Sequence, residues 1–474
     1  MSDKGELLRL ELGGEMNTKK KKKERENVDS KKVREVIKAF FELEKEEALF
    51  DELFKKVKTV YGSMEGDEKE CLFRDTINKI EVSKSDIAPI ASELLNCDQD
   101  DPLWASLLGE LRNRSYSPRL KVFRNIARSP GGLKFLLDFR SDLLSIRRHS
   151  KIDLEPLDLD IVFLFELWFQ GGFIYLEEIT LDSSYKQIEL IKNRDLVHPM
   201  SGIEEMGQRL GRDRRCFAMY HRLLPYEPII FIEFALTEGI VRNMSDIIAG
   251  ADNNNVKGKA DTAIFYSINN TQNGLAGLGL GKILIGQVVD YIRKENEKIK
   301  NYFTLSPVPG FWDRYLRPLL EGKDANFSLK HTDIISFFSK KTVAKILFRA
   351  GDVEHDPDHF NASLVSLLSD ETWAQDEELR KAFRNPLVKI AYHYVAREKN
   401  PRNKPLNPVA GFHLGNGATV SEKNINFLAN PSSRGLRESC GIMVNYVYSS
   451  TWLNQIRQSF RRLDRMEIKG FFRR

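Results

Sequence analysis

From residue 31 to about residue 190, apolar residues return at helical spacing. Val33, Val36, Ile37, Phe40 and Phe41 form one stripe, and "PLWASLLGELRNR" and "LKFLLDFRSDLLSIRR" carry others. Two-residue alternation is scarce over this stretch, so the pattern predicts a helical bundle domain over 31–192. The most apolar run, "IVFLFELWFQGGFIYL" (161–176), carries Glu166 and a Gly-Gly break. It is shorter than the roughly 20 residues that cross a bilayer, and it reads as buried core.

Near residue 195 the texture changes. "RRCFAMYH" (214–221), "PIIFIEFAL" (228–236) and "TAIFYSI" (262–268) are short runs rich in aromatic and β-branched residues, bounded by turn formers. "DNNNVKGKAD" (252–261) reads as a loop. After it the pattern gives a strand, a Gly-rich loop, a helix from about Leu280 to Lys298, the strand "NYFTLS", a Pro-rich turn and another helix. Beyond residue 325 helical spacing dominates again, broken at His413 and at "GIMVNYVY". Helices followed by a mixed set of strands and helices make an α+β chain, with a second domain over 193–474.

Composition narrows this little. The chain has 474 residues, 41% hydrophobic and 30% charged, with a net charge of +5. Much of the excess sits in Lys19–Lys23, inside a low-complexity segment that makes residues 1–30 a disordered basic tail. No broad nucleic-acid-binding face is implied. The four cysteines form no CxxC pair and no metal-ligand spacing, which points to free thiols in a reducing compartment. Acidic residues at 3, 6, 11 and 15 are unlike a transit peptide, and "FFRR" at the end is not a Ser-Lys-Leu address, so a cytoplasmic location is expected.

Three features carry candidate chemistry. The glycines between Thr271 and Lys282 allow a backbone to approach an anion ahead of a helix N-terminus. Walker A fails there, because Ala276 and Ile283 stand where Gly and Ser or Thr are needed, and the dinucleotide fingerprint is out of register. The run resembles the pyrophosphate loop of the GNAT-type acyltransferase fold. "AGLGLG" supplies its glycines at Gly279 and Gly281, with Ala276 in place of the leading polar residue. Close helix–strand packing is the other reading of the glycines. Ser306 is expected where a strand ends, a place that suits a side chain facing a cleft or a turn residue. His413, in "NPVAGFHLGNGA", is expected at the end of a short strand. "HDPDH" (355–359) reads as a solvated loop, without a third element for a metal. "RDRRC" (212–216) suits either a nucleotide phosphate or a charged surface.

Several blocks together resemble the malonyl-CoA decarboxylase family: "HPMSGIEEMGQRLGRDRRCF", "EPIIFIEFALTEGI", "TAIFYSINNTQNGLAGLGLG", "LSPVPGF", "LNPVAGFHLGNGA" and "SCGIMVNYVY". The resemblance implies a helical N-terminal domain and a GNAT-type catalytic domain. It implies CoA bound at Ala276, Gly277, Leu278, Gly279, Leu280, Gly281 and Lys282, and a catalytic pair falling on Ser306 and His413. The implied reaction takes malonyl-CoA to acetyl-CoA and carbon dioxide without a cofactor or metal, controlling malonyl-CoA in fatty acid metabolism. A homo-oligomer is implied as well, with no nucleic-acid or membrane partner, and mitochondrial or peroxisomal locations occur in the family. Two departures stand out: Gly279 replaces a glutamate common in the family's loop, and the C-terminal segment is basic. The first keeps open an acetyl-CoA-dependent acyltransferase or a weakly active malonyl-CoA-binding regulator. Cys216 is a candidate for an intersubunit disulfide, with a buried reduced thiol as the other reading.

Overall fold

The computed structural model describes residues 31–45, 50–169, 172–195, 202–211, 213–249, 259–351, 356–449 and 467–469. The expected basic tail, residues 252–258 of the expected loop, and the C-terminal segment other than 467–469 lie outside them. The chain divides into two compact units. The first comprises the chain up to Phe173 with His221–Pro225 and Gln272–Leu278; the second comprises Ile174–Tyr220, Tyr226–Thr271 and the chain from Gly279 onward.

The first unit is helical. The helix Lys31–Lys45 buries Val33, Val36, Ile37, Phe40 and Leu43, one face of a 3.6-residue repeat. Phe41 falls off that face and is exposed, against the expected stripe. Each such side chain contributes about 1.5–3 kcal/mol when fully buried. Phe73, Phe123 and Phe135 pack around Phe139 with ring centroids 4.9, 5.8 and 5.9 Å away, so the core of this unit is largely aromatic. The helix Pro102–Arg114 starts where its sequence dictates: Asp101 accepts from the Leu103 N–H and Pro102 takes the first turn. None of its residues is buried, so its apolar positions do not reach the core. The run 161–176 divides. The helix Glu155–Trp168 buries Ile161, Leu164 and Phe165 but exposes Phe163 and Leu167, and the run's last residues open a strand.

That strand, β1 (Ile174–Ile179), lies in the stretch expected to be helical and is the first of the second unit. β2 (Arg214–His221), β3 (Pro228–Thr237), β4 (Thr262–Asn270), β5 (Asn301–Thr304) and β9 (Glu467–Lys469) complete a six-stranded sheet in the order β5-β4-β3-β2-β1-β9. β2, β3 and β4 pair antiparallel. β4 and β5 pair parallel, which requires the crossover that the helix Leu280–Glu295 supplies. Strand, glycine run, helix and parallel strand thus follow the expected order. β2 and β3 are buried along nearly their whole length, which is why they read as continuous apolar runs rather than alternating ones.

A second, three-stranded sheet, β6-β8-β7, joins Ser306–Pro307, Met443–Val444 and Ile425–Asn426. Arg209 bridges the buried carboxylates of Asp195 (2.9 Å) and Glu233 (3.4 Å), and Ser267 and Asn269 donate to Asp195. Burial, followed by the Asp195 charge, pushes Glu233 up to about 8.

Candidate active site

Ser306 sits where the chain changes sheets. Thr304 is the last residue of β5, the Leu305 N–H still donates to Phe265 O, and Ser306 pairs with Val444 in the second sheet. The hydroxyl is thereby held at a strand end, and its residue is only 5% exposed.

His413 does not end a strand. It lies in the helix Pro408–Gly415, which the "NP" of its own motif starts: Asn407 accepts from the Ala410 N–H at 2.8 Å and Pro408 takes the first position. Asn407 also donates from Nδ2 to Pro309 O at 3.1 Å. One buried amide therefore caps the histidine's helix and ties it to the turn that follows Ser306.

The two elements bring Ser306 Oγ to 3.0 Å from His413 Nε2. On the other side of the ring, Nδ1 lies 2.9 Å from the hydroxyl of Tyr448. Ser306 donates to Thr304 Oγ1 at 2.9 Å, and Thr304 donates to Val444 O. Burial pushes the Tyr448 phenol far above its ordinary range, so it keeps its proton. The arrangement in which every group donates onward runs from Tyr448 to Nδ1, from Nε2–H to Ser306, and from Ser306 to Thr304. Tyr446 stacks on the imidazole at a centroid distance of 4.6 Å and Phe412 meets its edge at 5.1 Å. Enclosed in this way, His413 is lowered to about 3 by burial and is a neutral imidazole at physiological pH.

Ser306 and His413 line a cavity of about 220 Å³ with Phe265, Ser267, Pro408 and Phe412 among its walls. Among the described residues, no Lys, Arg, Asp or Glu lines it. The volume suits a small acyl group rather than a whole coenzyme.

The glycine run divides by role. Gly277 (φ 87°) and Gly279 (φ 67°) adopt left-handed backbone and are exposed, as are Ala276 and Lys282. Leu278 is half-buried, and Leu280 and Gly281 are buried. A Cβ on Gly281 would land on the Phe412 ring, so this glycine serves close packing against the histidine's helix. A Cβ on Gly274 would strike Leu137 O. Gly279 does not line the cavity.

Three other candidates separate from the site. Arg215 pairs with Glu178 and Glu295 and lies over Phe217 and Tyr291, while Arg214 is buried. Neither is an open charged surface; Arg212 lies outside the described residues. Asp356 accepts from the Asp358 N–H in a turn, and His355 lies outside the described residues. Cys216 is fully buried opposite Glu233, and burial pushes its thiol up, so it is not placed to cross-link subunits in this fold. Sequence reasoning missed Tyr448 and Asn407. Tyr448 lies in a quoted block without a role, and Asn407-Pro408 is a helix-start signal that was legible.

A buried, neutral serine–histidine pair facing a largely apolar cavity on an α+β scaffold has the geometry that acid–base chemistry on a small acyl group requires. The family model of the malonyl-CoA decarboxylase C-terminal domain matches residues 172–466, and that of the malonyl-CoA decarboxylase N-terminal domain matches 82–169. The mitochondrial malonyl-CoA decarboxylase of Anser anser anser is 32% identical over 395 residues, covering 82% of this chain and 75% of the relative. The mitochondrial enzyme of Rattus norvegicus is 34% identical over 339 residues, covering 70% of this chain and 65% of the relative. The crystal structure of malonyl-CoA decarboxylase from Rhodopseudomonas palustris superposes with a TM-score of 0.71 at 26% identity, covering 92% of this chain and 98% of that one. That from Agrobacterium vitis gives 0.72 at 28%, covering 92% and 97%. The chain belongs to the malonyl-CoA decarboxylase family, and its enzyme class is that of a carboxy-lyase.

Proposed function

We propose that Ser306 and His413 carry out the decarboxylation of malonyl-CoA to acetyl-CoA and carbon dioxide in the cavity they line. The observation that supports this most is the 3.0 Å contact between a serine hydroxyl and a neutral, buried imidazole at a cavity whose described lining residues carry no charge. Breaking the bond between the α-carbon and the carboxylate sends its electron pair into the thioester, making an enolate. The described lining residues give the malonyl carboxylate no ion partner. A charged histidine would supply one and stabilise the ground state, whereas the neutral ring does not. The Ser306 hydroxyl, turned from Thr304 towards the substrate and backed by Nε2–H of His413, is the donor available to the enolate, worth roughly 3 kcal/mol when preorganised.

The α-carbon then takes the Ser306 proton. Nε2–H of His413 donates to the transient alkoxide, Tyr448 keeps its proton and holds the ring tautomer, and one solvent proton restores the hydroxyl. The overall step consumes one proton and needs no redox partner.

In the first unit the exposed Ala276 and Gly277 offer backbone amides to a CoA pyrophosphate; in the second, the exposed Gly279 and Lys282 open a 16-residue helix whose dipole favours an anion. Leu280 and Gly281 support this helix start from inside. The relatives' names make the mitochondrion the second compartment to test beside the cytoplasm, by immunolocalisation of the full-length product. A homo-oligomer is tested by light scattering of the purified chain. The reaction is tested by incubating the protein with malonyl-CoA alone. Acetyl-CoA and carbon dioxide in equal amounts support the proposal; a requirement for an acyl acceptor, or binding without turnover, overturns it.

A further inference from the structure

Arg140 is a cation buried in the helical unit, only 3% exposed, on the helix Gly132–Arg147. Its Nε donates to Asp158 Oδ1 at 2.7 Å, which anchors the guanidinium within the unit. Asp158 is itself held by Arg147 at 3.1 Å. Nη1 of Arg140 has backbone partners. It donates to the backbone carbonyls of Gly274 at 2.5 Å and Ala276 at 3.0 Å, both in the glycine run. The contact needs the missing side chain of Gly274, since a Cβ there would strike Leu137 O on the same helix. Lys134, one and a half turns earlier, reaches Gln272 at the start of the segment at 3.4 Å.

We infer that Arg140 is a positioning residue for coenzyme binding, holding the carbonyls of Gly274 and Ala276 inward so that the following turn keeps the shape that receives a pyrophosphate. The inference rests on the assignment of Ala276 and Gly277 to CoA. Physically, a loop of glycines and small residues is costly to order, and glycine loses the most freedom of any residue. Two charge-assisted hydrogen bonds from a rigid, buried fork remove that cost before the ligand arrives. The same bonds direct two carbonyl dipoles at a cation, leaving them unavailable to repel an anion at Gly277. Arginine suits this better than lysine, because one planar group serves Asp158 through Nε and the loop through Nη1.

The test compares malonyl-CoA with malonyl-pantetheine, which carries the same thioester but no pyrophosphate. Arg140→Lys keeps a cation beside Asp158 and loses the fork. Its KM for malonyl-CoA is expected to rise about tenfold, the scale of one lost charge-assisted hydrogen bond. Its kcat, and its KM for malonyl-pantetheine, are expected to stay within about twofold of wild type. Should Arg140→Lys fail to fold, Arg140→Met combined with Asp158→Asn removes both buried charges and carries the same expectation. Equal rises in KM for both substrates, or no rise for malonyl-CoA in a folded variant, overturn the inference. If wild type itself binds the two substrates equally well, the loop assignment fails and the inference fails with it. If wild type prefers malonyl-CoA and the variants keep that preference, only the role of Arg140 is lost.

Discussion

The hydroxyl of Tyr448 and Nδ1 of His413 lie 2.9 Å apart, on the side of the ring away from Ser306. A neutral imidazole has one N–H and one lone pair, so the phenol's donation to Nδ1 places the ring proton on Nε2, facing the serine. Tyr448→Phe removes that donor and leaves Nδ1 buried and unsatisfied. Turnover is expected to fall about tenfold or more, the scale of a disturbed acid–base group. The KM for malonyl-CoA should stay near wild type, because Tyr448 is remote in sequence and role from the proposed coenzyme loop. Steady-state kinetics on the folded variant decide this, and unchanged turnover would show that the tyrosine does not set the ring tautomer that catalysis needs.

Burial lowers His413 to about 3, so the ring is neutral across the working range. The pH profile of kcat/KM is therefore expected to show no acid limb near 6.5. The stability consequence has a definite sign. The unfolded histidine takes up a proton below about 6.5 and the folded one does not, so this group's contribution is complete above 6.5 and is lost as pH falls towards 3. In wild type, but not in His413→Asn, part of the fall in Tm between pH 7 and pH 4 should come from this residue. A kinetic pKa near 6.5 that disappears in His413→Asn would contradict the neutral ring.

Asn407 joins the helix of His413 to the turn after Ser306. Asn407→Ser keeps a capping oxygen but loses the amide that reaches Pro309 O. The Tm should move little, while turnover falls about tenfold or more, since small misplacements of catalytic groups cost rate steeply. Differential scanning calorimetry and kinetics on one preparation check the two together. A large loss of Tm with normal turnover per folded molecule would make Asn407 a stability residue only.

Gly281 packs against Phe412, the neighbour of His413. Gly281→Ala is expected to be destabilising by about 1–3 kcal/mol through overpacking. Phe412→Leu in the same chain should recover part of that loss. Absence of any recovery in thermal melts would place the strain elsewhere.

How much of this the sequence carried depends on whether local pattern or distant contact decides each feature. The helix Lys31–Lys45 and the strands β2, β3 and β4 follow directly from apolar spacing. Ser306 and His413 were legible as candidates, but their pairing came from the resemblance, since 107 residues separate them and no local pattern encodes the contact. His413 was placed on a strand because small and apolar residues around it hide an Asn-Pro helix start. β1 was hidden because Ile174–Leu176 continue the apolar run of the helix before them. Gly274 and Gly281 looked like ligand glycines, yet what they meet is Leu137 and Phe412, far away in sequence. The cluster of Asp195, Arg209 and Glu233 left no local signal, because buried charges show themselves only through partners on other elements.

The central claim is that Ser306 and His413 act on one proton-transfer event, and a double-mutant cycle on turnover tests it most directly. Purified wild type, Ser306→Ala, His413→Asn and the double variant are each given malonyl-CoA alone, and acetyl-CoA is measured on chains with comparable melting temperatures. Each single variant is expected to lose about 10²-fold or more in turnover. The double variant is expected to be scarcely worse than the poorer single one, because residues working as a unit are strongly non-additive. Near-normal turnover in either single variant, or losses that simply multiply in the double, would contradict the account.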